Sequence, residues 1–348
     1  MAVRLRPTRR TLLLTGLAGL AALPLGACAA PLANSSAPSG ELVGEVEMLD
    51  PALAAIVDPA ARAEVLGTGY GWAEGPVWVP VGYLLFNDPP NNVMYRYGPG
   101  GEVEQFLQPS GLAGEVPEGI REAGANGMAL GREAGSVILA DSGTRAVSRL
   151  DLATKRKEVL VDRFEGQRFN SPNDLVVARS GAIYFTDPPY GLAEAEQSPL
   201  REVEHNGLYL RAANGTLHLL DRHRRPNGVT LSPDERTLYL ALSDDQRPEV
   251  LAYALDASGV PVGAPRLFHD MREQQAAGRP GLPDGIKTDA RGNVFATGPG
   301  GVHVLSPAGT LLGIITTGSA VANVAVGEDG RALYLTSHRM LARVPLLG

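Results

Sequence analysis

The chain has 348 residues, 20% of them charged, and a formal net charge of −7. An acidic protein without clusters of Lys and Arg lacks the surface that binds phosphate backbones, so nucleic acid is excluded as an expected partner. Hydrophobic residues make up 44% of the chain, which suffices for a large core. The 42 glycines and 27 prolines are scattered along it, which indicates many turns between short strands.

The N-terminus has the features of an export signal. A basic stretch, residues 4–10, precedes an uncharged and mostly apolar segment, residues 11–27, which is too short for a comfortable membrane span. Thr8-Arg9-Arg10-Thr11-Leu12-Leu13 resembles a twin-arginine signal. An ordinary Sec signal with a chance arginine pair is the alternative.

Cys28 is the only cysteine, so no intramolecular disulfide is possible. Leu25-Gly26-Ala27-Cys28 resembles a bacterial lipobox, in which the cysteine becomes the lipidated first residue. We therefore predict a signal peptide over residues 1–28 and a tether rich in Ala, Pro, Ser and Gly over residues 29–49. The expected location is the periplasm, either free or anchored to a membrane through Cys28.

A short helix is predicted next. Apolar residues recur at helical spacing from Pro51 to Leu66, and Asp50 is a candidate N-cap. No long segment of helical period follows, which counts against an α/β architecture.

The domain predicted over residues 50–348 contains an internal repeat. Each copy opens with an acid or amide, continues through a few apolar residues and a turn, and ends in a second strand. Six copies begin at Glu74, Asn126, Asn173, Asn227, Asp284 and Asn323. Most intervals are near the roughly 40–50 residues of a four-stranded propeller blade. We therefore predict an all-β fold, a six-bladed β-propeller, over a β-sandwich or a β-helix.

The first strand of every propeller blade lines the central channel, so the six opening residues should converge there. Each carries a carboxylate or amide oxygen, although any single one could simply be a turn residue at a strand start. Six together would remain undersatisfied unless a cation bridged them. Oxygen ligands suit calcium, which tolerates looser geometry than magnesium, whereas zinc would require His or Cys. Ca²⁺ is the expected cofactor, and another divalent cation is the alternative.

Four motifs resemble the gluconolactonase/regucalcin family of six-bladed propellers. They are Trp72-Ala73-Glu74-Gly75-Pro76-Val77-Trp78, Asn170-Ser171-Pro172-Asn173-Asp174-Leu175 with the later Tyr184–Gly191, Arg225-Pro226-Asn227-Gly228, and Pro283-Asp284-Gly285. The resemblance implies metal ligation by Glu74, Asn173, Asn227 and Asp284. It also implies hydrolysis of a sugar lactone such as gluconolactone by metal-activated water, with Asp284 as general base.

The sequence departs from the family pattern at two places. Ser171 stands where some members have a basic residue for sugar hydroxyls, and the nearest basic residue is Arg168. His338, in the last blade, resembles a feature of related phosphotriesterase propellers. We therefore expect substrate contacts from Asn126, Asn173, Arg168 and His338.

Two other function classes stay open, a calcium-dependent phosphotriesterase-like hydrolase and a non-catalytic calcium-binding propeller. The sequence has no Gly-x-Ser-x-Gly elbow, which argues against serine nucleophilic chemistry. A small-molecule lactone is the expected partner, and no protein partner is predicted.

Overall fold

The computed structural model describes residues 40–348. The predicted signal peptide, Cys28 and residues 29–39 of the predicted tether lie outside the described residues. Three strands come first in the described part: β1 (Leu42–Val43), β2 (Val46–Met48) and β3 (Ala63–Thr68). Four short helices occur in this part: three 3₁₀ helices, Pro51–Ala55, Ala195–Gln197 and Glu328–Gly330, and α1 (Arg272–Ala276).

Blades 1 to 3 each consist of four consecutive antiparallel strands. Blade 1 contains β4 (Glu74–Val79), β5 (Tyr83–Asp88), β6 (Val93–Tyr97) and β7 (Val103–Leu107). Blade 2 contains β8 (Met128–Leu130), β9 (Ser136–Asp141), β10 (Ala146–Asp151) and β11 (Lys157–Val161). A small hairpin follows, made of β12 (Arg163–Phe164) and β13 (Gln167–Arg168). Blade 3 contains β14 (Leu175–Val177), β15 (Ile183–Asp187), β16 (Gly207–Arg211) and β17 (Leu217–Arg222).

Blades 4 and 5 repeat this order, and blade 6 supplies three strands. Blade 4 contains β18 (Pro226–Leu231), β19 (Thr237–Asp244), β20 (Arg247–Ala254) and β21 (Arg266–Asp270). Blade 5 contains β22 (Ile286–Thr288), β23 (Val294–Gly298), β24 (Gly301–Leu305) and β25 (Leu311–Ile315). Blade 6 contains β26 (Asn323–Gly327), β27 (Ala332–Ser337) and β28 (Met340–Pro345). The prediction of a six-bladed propeller is confirmed.

The N-terminal strands close the ring. β3 pairs with β28, with Leu341 opposite Gly67 and Ala342 opposite Val65, and so provides the fourth strand of blade 6. β1 then pairs with β3, and β2 pairs with β25 at the outer edge of blade 5. Residues 42–43 and 46–48, which were expected to belong to the tether, therefore lie in the sheets, and the propeller begins before residue 50.

The predicted helix is present but shorter than expected. Asp50 caps it as predicted, because its Oδ1 accepts from Ala52 N at 2.8 Å. The helix ends at Ala55, and Pro59 follows soon after. Ala63 and Leu66, taken for the end of its apolar stripe, lie in β3 instead. There the apolar spacing places Leu66 between blades 6 and 1.

The core consists of six apolar layers, each between two neighbouring blades. Side chains alternate across each strand, so one strand feeds two layers. In β5, Leu84 and Phe86 face blade 6, whereas Leu85 faces blade 2. The inner strands β4, β8, β14, β18, β22 and β26 contact one another in that cyclic order. They form the wall of the central channel.

Candidate functional site

A cavity of about 850 Å³ opens at one end of the channel. Five of the six repeat-opening residues line it: Glu74, Asn126, Asn173, Asn227 and Asp284. They come from five different blades, because each stands at or just before the start of an inner strand. The predicted convergence of these residues is therefore present in the structure.

A glycine after the oxygen-bearing residue lets neighbouring blades approach closely. A Cβ added to Gly75 would lie 2.0 Å from the Asn126 carbonyl oxygen, and one added to Gly228 would lie 2.1 Å from the Asp284 carbonyl oxygen. Gly75 also has a φ of +51°, which favours glycine. The glycines of the Glu-Gly and Asn-Gly pairs thus allow a close approach of adjacent blades that a side chain would block.

Glu74 is a buried carboxyl with few donors around it. One oxygen, Oε2, accepts from Gly75 N at 2.7 Å and from Asn323 Nδ2 at 3.3 Å. Burial raises the pKa of Glu74 to about 7, and the charges of Asp174 and Glu122 add to this effect.

Asp284 shares this electrostatic environment. Burial raises its pKa well above the usual range, and the Glu74 and Asp174 charges raise it further, while a hydrogen bond from Asn227 opposes the shift. The Asn227 amide also donates to Ser243 Oγ at 2.8 Å. The site therefore holds mutually repelling carboxyls in a place that favours their neutral forms.

The donor set fits a hard cation. Asn126 Oδ1 and Asn227 Oδ1 are buried, and within residues 40–348 neither has a hydrogen-bond donor. A buried unpaired amide oxygen is unfavourable, and a cation would satisfy both oxygens while relieving the repulsion between Glu74 and Asp284. The described residues contain no cluster of three or more His, Cys, Asp or Glu arranged for a metal, so a cation site here would need oxygens of other kinds, and the amide oxygens of Asn126 and Asn227 are candidates.

Asn323, the sixth repeat-opening residue, has a different role. It does not line the cavity, and its Oδ1 accepts from Val324 N at 2.9 Å and from Lys287 Nζ at 3.4 Å. Its amide nitrogen donates to Glu74. Asn323 therefore orients the Glu74 carboxyl, and its own amide oxygen is already occupied by two donors.

Two predicted substrate contacts lie outside the cavity lining. The guanidinium of Arg168 is held at the β12–β13 hairpin, where Nη2 donates to the Thr144 carbonyl at 2.7 Å. His338 is an exposed turn residue with a φ of 52°, and its ring packs edge-on against Trp72 at 5.4 Å between centroids. Trp72 lines the cavity, so His338 adjoins the cavity wall through this ring contact. The substrate contacts expected of Arg168 and His338 remain predictions.

Arg225 and Tyr190 line the cavity and were not predicted as site residues. Arg225 Nη2 lies 2.9 Å from Glu196 Oε2, and its guanidinium lies 5.2 Å from the Tyr190 ring centroid. Burial raises the pKa of Tyr190 to about 12, so its phenol stays protonated. Both residues belong to the four family-like motifs, and that position is the signal that could have identified them.

A buried carboxyl also supports the loop that carries Asn173. Asp187 accepts from Asn170 N and from Ser171 N, each at 2.8 Å. Its burial raises its pKa to about 7 despite these bonds. Asp187 therefore fixes the loop rather than facing the cavity, in keeping with the turn preference of its Asp-Pro-Pro sequence.

The fold and the ring of acids and amides define a six-bladed propeller with a candidate cation site in its channel. The family model described as SMP-30/Gluconolactonase/LRE-like region matches residues 72–339. The chain belongs to this family, as its motifs predicted, which also supports the expectation of a hydrolase of the gluconolactonase type.

Known relatives agree with this assignment. The chain is 42% identical over 311 residues to a gluconolactonase of Zymomonas mobilis, and the alignment covers 88% of this chain and 87% of the relative. A gluconolactonase structure from Xanthomonas campestris superposes with a TM-score of 0.76 at 30% identity, covering 90% of this chain and 99% of the other. The calcium-binding protein regucalcin from Agrobacterium tumefaciens superposes with a TM-score of 0.63 at 19% identity, covering 82% and 94%, and supports the fold alone.

Proposed function

We propose that the protein is a calcium-dependent lactonase that opens the ring of a sugar lactone such as gluconolactone. The observation that carries the proposal is the cavity with two buried carboxyls and two unpaired amide oxygens. The 42% identity to a gluconolactonase supports the substrate class. Protonated carboxyls alone do not explain why unpaired amide oxygens stand beside them, whereas a divalent cation would be coordinated by all of these oxygens.

Each site residue has a proposed role. Glu74, Asn173, Asn227 and Asp284 would hold the ion, which when bound supplies polarisation of the lactone carbonyl and stabilisation of the developing oxyanion. Asp284 takes one proton from water as the water oxygen bonds to the lactone carbonyl carbon. The ring C–O bond then breaks, the leaving oxygen takes that proton back, and the product is the hydroxy acid. Asn126 and Asn173 orient the substrate by hydrogen bonds.

The cavity wall supplies further binding groups. Arg225 presents a guanidinium that is fixed by Glu196 and Tyr190, and five N–H donors suit the hydroxyl oxygens of a sugar. This residue is the cavity's counterpart to the basic group expected near Ser171.

The activity test uses the purified protein and gluconolactone, with acid release followed above the uncatalysed rate. We expect EGTA to abolish hydrolysis and added CaCl₂ to restore it. Glu74→Gln and Asp284→Asn should each lower kcat/KM by at least about 100-fold, because each removes a charge that the reaction uses. Asp329→Asn is the matched control, since its side chain is 96% exposed and its positive φ suits asparagine.

Three outcomes discriminate among the function classes. Lactone hydrolysis that survives both EGTA and Glu74→Gln contradicts the cation mechanism. Turnover of organophosphate triesters without turnover of lactones favours the phosphotriesterase alternative. Calcium binding without hydrolysis of any ester favours a non-catalytic calcium-binding propeller.

We also propose export through the twin-arginine route and a lipid anchor at Cys28. The support is the sequence of residues 8–13 and 25–28. None of the helices within residues 40–348 has the length and apolar content that crossing a membrane requires. Mass spectrometry of the mature N-terminal peptide tests the proposal, and a mature chain that begins anywhere other than at a lipid-modified Cys28 contradicts it.

A further inference from the structure

Lys287 is a charged residue beside the candidate cation site that the proposed mechanism does not use. It lies in β22, three positions after Asp284, and its ammonium contacts oxygens from three blades. These are Asp174 Oδ2 at 3.3 Å, Asn323 Oδ1 at 3.4 Å and the Ile286 carbonyl at 3.1 Å. Three N–H donors thus meet three oxygens, which is the full capacity of an ammonium group.

The residue type supports a specific role for this charge. The chain has 31 Lys and Arg residues, and only three are lysines: Lys155, Lys157 and Lys287. A lysine ammonium is a compact point charge that can sit among oxygens, whereas the planar guanidinium of arginine needs a wider site. The Lys287 side chain is 21% exposed and that of Asp174 is 2% exposed, so the ion pair is partly shielded from water.

These contacts connect Lys287 to the proposed metal ligands. Asp174 follows Asn173 in the chain, and its charge raises the pKa of both Glu74 and Asp284. Asn323 accepts from Lys287 and donates to Glu74. Among residues 40–348, Lys287 is the one basic residue that forms an ion pair with any of the three carboxyls Glu74, Asp174 and Asp284, and its partner is Asp174.

We propose that Lys287 is a built-in counter-ion for this channel, which stabilises the metal-free protein and lowers the affinity of the adjacent site for a divalent cation. Its charge partly neutralises Asp174 when no metal is present. The same charge repels a cation at the adjacent site, because Lys287 contacts Asp174 and Asn323, which adjoin the proposed ligands Asn173 and Glu74. The affinity part rests on the proposed function, whereas the stabilisation of the metal-free protein does not.

The test measures CaCl₂ binding by calorimetry and thermal unfolding in EGTA and in CaCl₂, without any activity assay. Lys287→Met should lower the Tm in EGTA and tighten calcium binding by about tenfold, because one unit charge near the ion is lost. Asp174→Asn should weaken calcium binding.

Lys157 offers a matched control. It forms a similar ion pair with Asp141, with the lysine 23% exposed and the aspartate 0% exposed, and neither residue lines the cavity. Lys157→Met should lower the Tm equally with and without calcium and leave the calcium Kd unchanged.

Two results would overturn the inference. One is that Lys287→Met behaves like Lys157→Met, with equal Tm losses and an unchanged Kd. The other is additivity in EGTA of Lys287→Met and Asp174→Asn, because a counter-ion pair must show coupling in a double-mutant cycle. If the wild-type protein binds no calcium, both the proposed effect of Lys287 on calcium affinity and the proposed calcium dependence of the enzyme are wrong. The double-mutant cycle in EGTA still tests whether Lys287 stabilises the metal-free protein. Loss of lactonase activity alone affects only the proposed function.

Discussion

At the scale of single residues, the cavity combines a ring of carboxyl and amide oxygens with a basic residue, Arg225, that is held in place from two sides. Arg225 is anchored on one side by Glu196 and packed on the other against Tyr190. A guanidinium fixed in this way loses little side-chain entropy when it binds a substrate. It is therefore suited to ground-state binding of hydroxyl groups, a role distinct from the one proposed for Glu74 and Asp284.

Arg225→Met should raise the KM for gluconolactone by about tenfold and change kcat less, because a hydrogen bond to a charged group contributes about 1.5–3 kcal/mol. Steady-state kinetics on the purified variant measure this. Arg222→Met is the control, since Arg222 is exposed at the end of β17 and does not line the cavity. An unchanged KM in the Arg225 variant would contradict the binding role.

Residues within the repeated motifs could be predicted from the sequence, but their partners could not. Glu74, Asn173, Asn227 and Asp284 open recognisable repeats, and the structure places all four around one cavity. Lys287 and Asp174 are 113 residues apart, and no local pattern links them. Arg168 is the basic residue nearest to Ser171 in the sequence, yet Arg225 lines the cavity instead. Arg225 precedes the inner strand of the next blade, and the sequence alone does not show that this segment faces the same cavity.

At the scale of elements, blades 4 and 5 are joined by a histidine pair in which His303 is buried and His269 is partly buried. His269 of β21 and His303 of β24 lie 2.9 Å apart between Nε2 and Nδ1, and His303 also contacts the Pro299 carbonyl. Burial lowers the pKa of both rings to about 4. One nitrogen of the pair must keep its lone pair, so the contact is incompatible with two charged rings.

This pair predicts acid sensitivity. The folded pKa of each ring lies below its ordinary value of 6.5, so protons bind the unfolded chain more tightly. The pair's contribution is fully present above about pH 6.5 and is lost as the pH falls towards 4, by on the order of 2 kcal/mol per ring at pH 5. Urea unfolding at pH 7 and pH 5 should show a smaller pH effect in the His269→Gln/His303→Gln variant than in the wild-type protein.

His218→Gln is the control for that comparison, because His218 is exposed on β17. It should keep the wild-type difference between pH 7 and pH 5. An equal pH effect in the double variant and the wild-type protein would show that the pair does not carry the sensitivity.

The positions of the strands could be predicted from the sequence, whereas the end of the helix Pro51–Ala55 could not. The second strands of the repeats show plain apolar runs, and β5, β9, β15, β19, β23 and β27 confirm them. The segment around Ala63 and Leu66 has apolar spacing that fits a helix equally well. Its strand partner, β28, lies at the other end of the chain, with Glu64 and Arg343 279 residues apart, so only the closed ring determines its structure.

At the scale of the whole molecule, stability depends on closing the ring. Leu66 of β3 is 2% exposed in the apolar layer between blades 6 and 1. Leu66→Ala should lower the free energy of unfolding by about 2–4 kcal/mol, since it removes buried methyl groups at the closing strand. Denaturant titration measures this loss.

Leu267→Ala is the matched control, because Leu267 also lies on an outermost strand, β21, but is 50% exposed. It should cost less than about 1 kcal/mol. Equal losses in the two variants would mean that closure through β3 contributes no more than any outer strand.

The blades are also tied together near the axis by side chains that reach into the next blade. Asn87 donates to the Asn126 carbonyl, Ser142 to the Pro172 carbonyl and Thr186 to the Asn227 carbonyl. Ser243 and Thr297 do the same for the Pro283 and Ala322 carbonyls. Each of blades 1 to 5 thus fixes the backbone at or next to the oxygen-bearing residue of the following blade.

Ring closure has a consequence for the order in which the protein is made. Synthesis runs from the N-terminus, so all five cavity oxygens, the last of them on Asp284, leave the ribosome before β28 does. β3 is made early, whereas β28, which joins it to close the ring, is made last, so this edge of β3 has no partner strand through almost the entire translation of the chain. We therefore expect the ring to close only after β28 is made, although the cavity residues are all present long before.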